Sequence, residues 1–479
     1  MSLRSQFLTG LKWTVVGRLA TQLVTWAITI YVMRLVVPDQ YGLMALASIF
    51  SSFFGLLSEI GLGSALVRTK DVSDRQLRQI FGIVLLSNIV VLVLMAMVAA
   101  PLASAFFESP DLLQVIQVIA LQFVPAAFAV VPSALLAREM SFGGRAIVDF
   151  SASLSGSLLT LGMAYYGYGV YALAWGSIAI AVIRAIGLNF LVRPVGMPIF
   201  EFSGCGEMFH FGRNVAQHQF VWFFYSQADS FIVGKMLGGH ALGIYSISME
   251  LASLPAARIS AVLNQVGTPA LSKVHREGGK VGSYLLKGMR TLSLFAFPVM
   301  WGISCVAPEL VRTLLGETWE EAIVPLAMIC LMMPLRVLSV FVAGGLQSVG
   351  RADVSFRNIC TTAVVMCLAF IVTYRYGLVA LSLSWVFVFP IVFFWNLYRS
   401  SPHLEVATRA LIATMLPSLL CSTAMYGAVA ATRYISTLSS LENLVLLILT
   451  GALSYGLTAW VVNRQGLLEV LNIVRGRTA

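Results

Sequence analysis

Apolar stretches long enough to cross a bilayer recur along the whole chain, and short polar gaps separate them. A spanning helix needs about 20 mostly apolar residues to cross a hydrocarbon core of ~30 Å. The pattern predicts spans at 12–33, 41–66, 79–105, 112–136, 146–166, 170–192, 211–233, 242–268, 285–315, 321–349, 358–374, 378–398, 409–431 and 441–463. Composition agrees: 58% of residues are hydrophobic and 11% charged, against about 25% charged in an ordinary soluble domain. No polar stretch is long enough to fold alone. The expected fold is an all-α polytopic membrane protein with about 14 transmembrane helices.

Charge adds orientation. Of the 31 Lys and Arg, 22 lie in gaps or at span ends on the side of the termini and 5 on the other (Arg34, Lys235, Arg312, Arg375 and Arg433). Arg18, Arg184, Arg258 and Arg336 lie deep in spans. Cytoplasmic loops carry the excess of Lys and Arg, so both termini are expected in the cytoplasm. The net charge of +10 does not indicate nucleic acid, because the basic residues flank spans and form no single patch. Lys12 and Arg18 interrupt the first apolar run, and no small-residue cleavage site follows, which argues against a cleaved signal. The six Cys show no metal-ligand spacing and read as reduced packing residues.

The loops of the charge-poor side are short, at 108–111, 167–169, 234–241, 316–321, 375–377 and 432–440. None could hold the acceptor and catalytic residues of a membrane glycan polymerase or ligase. There is no phosphate-binding loop for a nucleotide. The expectation is a carrier and not an enzyme, without a cofactor, driven by an ion gradient or by the substrate's own gradient.

The chain also repeats itself at about 200 residues. Tyr168-Gly-Val-Tyr-Ala-Leu-Ala-Trp175 matches Tyr376-Gly-Leu-Val-Ala-Leu-Ser-Leu-Ser-Trp385, and Asp39-Gln-Tyr-Gly-Leu43 matches His240-Ala-Leu-Gly-Ile244. The unit is six spans, an even number, so two six-helix lobes share one orientation and relate by a pseudo-twofold axis along the membrane normal. The expected division is an N-lobe at 1–192, a cytoplasmic linker at 193–210, a C-lobe at 211–400, and two extra C-terminal helices with a tail at 401–479. A short amphipathic helix is expected in the linker at Cys205–Phe211.

Ionisable residues at membrane depth are costly, so they normally face a cavity or a partner. Helical spacing puts Thr14, Arg18, Gln22, Thr25 and Thr29 on one face of span one. Ser48, Ser52, Gly55, Glu59 and Gly63 share a face of span two. Asp149, Ser153, Gly156 and Thr160 do so in span five, and Asn214, His218, Trp222, Tyr225 and Asp229 in span seven. Span eight adds Ser246, Glu250, Ser253, Ala257, Ser260 and Asn264, with Arg258 about 100° away. Spans three, four and eleven to fourteen read as far less polar. These faces make Arg18, Arg258, Arg336, Arg184, Gln22 and Asn264 the candidate substrate-binding residues. Glu250, Asp229 and Glu59 are candidates for coupling to Na+ or H+, and Trp222, Tyr225 and His218 for contact with sugars. Bland readings stand beside these. Small-residue stripes pack helices, carboxylates pair arginines, aromatic rings form interfacial belts, and Asp229 could simply brace span seven.

The loop Gly61-Leu-Gly-Ser-Ala-Leu-Val-Arg-Thr-Lys-Asp71 resembles the loop after span two of bacterial polysaccharide transporters. Gln227-Ala-Asp-Ser-Phe-Ile-Val-Gly-Lys-Met-Leu-Gly238, Leu242-Gly-Ile-Tyr-Ser246, Pro269-Ala-Leu-Ser272 and Gln347-Ser-Val-Gly-Arg351 through Tyr376-Gly-Leu378 resemble the same family. The match covers roughly residues 5–400. It points to Wzx-type polysaccharide flippases of the MOP superfamily, which also includes lipid II flippases and MATE drug exporters. The resemblance implies alternating access around a cationic cavity, and a substrate of undecaprenyl-diphosphate-linked oligosaccharide. It also implies a polysaccharide polymerase and export machinery as partners. In lipid II flippases, arginines on spans one and eight hold the diphosphate; Arg18 and Arg258 occupy those spans here. That group also carries basic residues on span two, where this chain has Glu59. The rival readings are a MATE-like exporter of organic cations, whose cavity should be acidic on balance, and a membrane glycan polymerase or ligase.

Overall fold

The computed structural model of the chain describes residues 24–59, 63, 66, 72–139, 142–192, 196–201, 206–262, 267–436 and 440–474. At residues 59, 142, 206–219, 221, 222, 225, 261, 262, 268, 440 and 470–474 it describes backbone alone. Every described regular element is helical. Among the described residues nine helices are long and apolar enough to cross a membrane, or ten if a pair bent by 67° counts as one span. That pair is span nine, Val281–Cys305 with Ala307–Leu314.

Two compact units make up the chain, residues 1–243 and 244–479. In the first, span two is a single helix, Pro38–Glu59. Span three starts at Asp74, five residues before the apolar run, because Ser73 and Gln76 form a reciprocal cap: Ser73 Oγ accepts from the Gln76 N–H and Gln76 Oε1 from the Ser73 N–H. The helix continues through a π turn to Phe107. Glu108, in the left-handed conformation (φ 54°), turns the chain into span four.

Spans five (Phe142–Tyr165) and six (Val170–Leu191) pack tightly along their lengths. Gly156 lies against the backbone of Gly176 and the side chain of Ile180, and Gly176 lies against Thr160. The Gly156–Thr160 part of the span-five stripe is therefore a helix-packing seam, as small residues permit.

The linker is strapped to span three. Arg78 Nε donates to the Met197 carbonyl at 2.8 Å, the Ile199 N–H donates to the Arg78 carbonyl, and Arg75 pairs with Glu201. The amphipathic helix expected in the linker does not stand apart. Helix begins at Gly206 and runs continuously into span seven, while Cys205 lies outside the described residues. Gly238 (φ 87°) breaks this helix and separates spans seven and eight, a conformation that favours glycine.

In the second unit, Trp319, Tyr245 and Phe370 are fully buried. Spans eleven (Ala352–Thr373) and twelve (Gly377–Ser400) are joined by a short 3-10 turn, Tyr374–Tyr376. They carry more polar chemistry than the sequence suggests: Asn358 donates to Ser400 Oγ at 2.9 Å and Asn396 to Thr362 Oγ1 at 2.9 Å. At the turn before span eleven, Asp353 hydrogen-bonds Arg351 and pushes the arginine pKa up. Span thirteen is Thr408–Ile435 and span fourteen Ser440–Val462. A further helix, Arg464–Val474, follows and is tied to span nine by the Glu469–Arg290 pair.

Candidate functional site

Arg336 lies near the middle of span ten, Ile323–Ser348. Its guanidinium stands over the Trp385 ring at 5.7 Å, and its Nη1 lies 3.7 Å from the Met249 sulfur. The indole is itself fixed: Trp385 Nε1 donates to the buried Tyr245 hydroxyl at 2.8 Å, and the rings of Phe370 and Phe389 flank it. Arg336 pairs with no carboxylate among the described residues. Cation–π contact supports the charge and leaves most of its N–H donors uncommitted. Such a guanidinium suits a planar, multivalent oxyanion.

A second arginine site lies in the first unit. Arg184 of span six places its Nε 2.8 Å from Asp149 Oδ1, and Arg145 places its own 3.6 Å from Asp149 Oδ2. Asp149 thus meets two arginines, which the four-residue spacing of 145 and 149 makes possible.

The third feature is a crossing where spans two and eight begin. A Cβ built on Gly42 would strike the Gly239 carbonyl, and one built on Gly243 would strike the Pro38 carbonyl. Beside them His240 Nδ1 lies 3.0 Å from Asp39 Oδ2. The sequence match of 39–43 to 240–244 aligns 38 with 239, 39 with 240 and 42 with 243, so the contact is reciprocal. Nearby, Lys235 donates to the Phe106 carbonyl at 2.6 Å, to Glu108 Oε1 at 3.1 Å, and stacks on the Phe106 ring. The Phe231 ring packs on Phe106 and Phe107.

The remaining expected site residues divide into three groups. Arg18, Gln22 and Asn264 lie outside the described residues. Glu59, His218, Trp222 and Tyr225 sit on described helices, but their side chains lie outside the described residues. The neighbouring Phe220, Phe223 and Phe224 cluster on Phe53 of span two. Arg258 and Glu250 are exposed, eight residues apart on span eight. Asp229 is buried, and its Oδ1 accepts the Ser230 N–H at 2.7 Å. Sequence reasoning missed Arg145, whose partner Asp149 it placed on a polar face. The signal was present as an Arg four residues before the Asp.

Among the described residues no group of His, Cys, Asp and Glu could hold a metal ion. What the geometry does define is an all-helical, multi-pass membrane protein with arginines held at span depth. It belongs to the polysaccharide biosynthesis protein family, whose profile matches residues 31–324. Its relatives include the teichuronic acid biosynthesis protein TuaB of Bacillus subtilis, 22% identical, with 95% of each chain covered. The lipopolysaccharide biosynthesis protein WzxC of Escherichia coli is 21% identical over 74% of this chain and 73% of its own. Among solved structures, the lipid II flippase MurJ in an inward closed conformation matches with a TM-score of 0.76, at 13% identity, over 95% of this chain and 99% of that one. This last likeness is one of fold.

Proposed function

We propose that this protein is a flippase that moves undecaprenyl-diphosphate-linked oligosaccharide from the cytoplasmic to the periplasmic leaflet of a bacterial inner membrane. The observation that carries the reading is Arg336, a guanidinium at span depth on an indole face with no carboxylate partner among the described residues. A diphosphate headgroup carries about two negative charges, and arginine holds such groups through charge-assisted, fork-like hydrogen bonds. Arg18, Arg258 and Arg184, with Gln22 and Asn264, complete the proposed phosphate-binding set. Trp222, Tyr225 and His218 are the proposed sugar contacts. The family membership and the biosynthetic roles in the relatives' names support the same substrate class.

The reading includes fourteen spans, two six-helix lobes with two further helices, and both termini in the cytoplasm. No covalent chemistry is involved. Alternating access requires the crossing of Pro38–Gly42 with Gly239–Gly243 to part when the carrier opens outward. Entry of Na+ or H+ at Glu250, Asp229 or Glu59 resets the empty carrier. A polymerase and export machinery receive the flipped unit. An exporter of organic cations would need an acidic cavity, and Arg336 argues against that.

The test is purification in native lipid followed by lipid extraction and mass spectrometry. A polyprenyl diphosphate glycan should co-purify with the protein and be depleted in Arg336→Ala. A preparation free of polyprenyl diphosphate, or equally rich in it when Arg336 is replaced, contradicts the reading.

A further inference from the structure

Within the first unit, a cavity of about 320 Å³ opens beside span four. That volume is at the lower end of the range for ligand pockets, about 300–1,000 Å³. Its wall is made of small groups, among them Gly63, Ser133, Ala134 and Ala181, and its charged groups among the described residues are Arg145 and Arg184. Both arginines touch Asp149, and all three side chains are a third or more exposed: 33% for Arg145, 40% for Arg184 and 41% for Asp149.

These contacts leave the arginines unsatisfied. Arg184 Nε lies 2.8 Å from Asp149 Oδ1, yet this buried N–H makes no hydrogen bond to any described group. The Arg145 contact is long, at 3.6 Å. Neither guanidinium hydrogen-bonds a described residue through its Nη groups. One carboxylate balances half the charge of two guanidiniums without saturating their donors. Two forks facing one cavity, with a net positive charge, can hold a tetrahedral oxyanion from two sides. Alanines around them leave room for the atoms attached to that anion.

We propose that Arg145 and Arg184 form a binding site for a phosphate-bearing group, with Asp149 as its resident counter-ion. When the site is empty, Asp149 holds the two guanidiniums in place. An arriving phosphate or diphosphate takes over their donors and loosens both contacts to Asp149. The position suits a first docking point for a headgroup, because Arg138 and Arg145, expected at the cytoplasmic face, flank the turn between spans four and five. The inference deepens the reading of Arg184 as a substrate residue, and it does not require that the protein flip anything.

The test reads this cavity alone. Ser133→Cys, in full-length protein whose other cysteines are replaced, is placed in nanodiscs and its alkylation by a water-soluble maleimide is timed. Inorganic pyrophosphate in phosphatidylcholine discs is one arm; discs containing phosphatidylglycerol, without pyrophosphate, are the other. Pyrophosphate should slow alkylation at least tenfold. Arg145→Gln and Arg184→Gln should each remove most of that protection, while Asp149→Asn should give it at lower pyrophosphate concentration. Protection in the phosphatidylglycerol arm as well assigns the site to lipid phosphodiesters in addition to free diphosphate. A merely structural ion cluster would lose, not gain, anion protection in Asp149→Asn. That result, absence of protection in both arms, or protection indifferent to both arginine changes overturns the proposal. Failure of flipping with protection intact would instead sink the transport reading and leave this site standing.

Discussion

Gly42 and Gly243 align in the sequence match of 39–43 to 240–244, and each lies against the residue that opens the other's helix. Gly42 faces the Gly239 carbonyl and Gly243 the Pro38 carbonyl. Only glycine allows backbones so close, and no side chain could be added at either position without parting the two helices. The flanking Asp39–His240 contact, 201 residues apart in sequence, ties the same two turns. This crossing is close and reciprocal, with backbone against backbone at both glycines.

Cysteines at positions 39 and 240 should therefore form a disulfide on mild oxidation of Asp39→Cys/His240→Cys. Transport should stop when the bridge forms and return on reduction. Continued transport with the bridge fully formed would show that the crossing never parts. Separately, Gly243→Val should destabilise the protein by about 1–3 kcal/mol, the usual cost of overpacking, read as a lowered unfolding midpoint.

For Arg336, replacement by Ala should abolish transport while the protein still reaches the membrane. Each hydrogen bond to a charged group is worth about 1.5–3 kcal/mol, roughly ten- to a hundredfold in affinity. Lys should restore only part of the activity, since it binds as a point charge. Trp385→Leu should weaken substrate binding several-fold by removing the ring beneath the guanidinium; unchanged binding would mean that the indole does not support the charge.

Arg433 of span thirteen reaches the bent segment of span nine, where it holds both carboxylate oxygens of Glu309 and also meets the Cys305 carbonyl. Glu309 is 9% exposed, so Arg433→Ala leaves a carboxylate nearly buried and unpaired. The expected loss is about 1–3 kcal/mol, held down because Arg433 is itself a third exposed. Removing both partners, as Arg433→Leu with Glu309→Leu, should recover most of the stability in a thermal melt. A double variant as unstable as the single would assign the loss to packing of the arginine stem.

Coupling can be separated from binding. Glu250→Gln should keep substrate binding and lose dependence of transport on the ion gradient, with Asp229→Asn as the second variant. Normal gradient-dependent transport in both would place coupling elsewhere.

Much of this architecture was legible in the chain itself. Among the described residues most of the helices lie where the apolar runs predict spans, since bilayer thickness fixes their length, while the 67° bend in span nine left no mark in hydropathy. The match of Asp39–Leu43 to His240–Ile244 marked two equivalent turns, and those turns meet. Spacing could not show that Gly156 and Thr160 face Gly176 and not water, because small residues serve packing and cavities alike. Nor could it show that Arg336 rests on Trp385, a contact set by tertiary packing between residues 49 positions apart. The polar contacts of Asn358 and Asn396 were hidden for another reason: each is a single amide near the end of an apolar run, and only the facing helix supplies its partner.

Transbilayer movement of a lipid-linked glycan can be followed in proteoliposomes holding the purified protein and a polyprenyl diphosphate oligosaccharide with a fluorescent sugar, by the fraction of label reached by a membrane-impermeant quencher over time. Labelled lipid shielded in the inner leaflet should become accessible with the intact protein, and Arg336→Ala should slow this to the rate of protein-free vesicles. Equal rates with the intact protein, with Arg336→Ala and without protein would contradict the flippase reading.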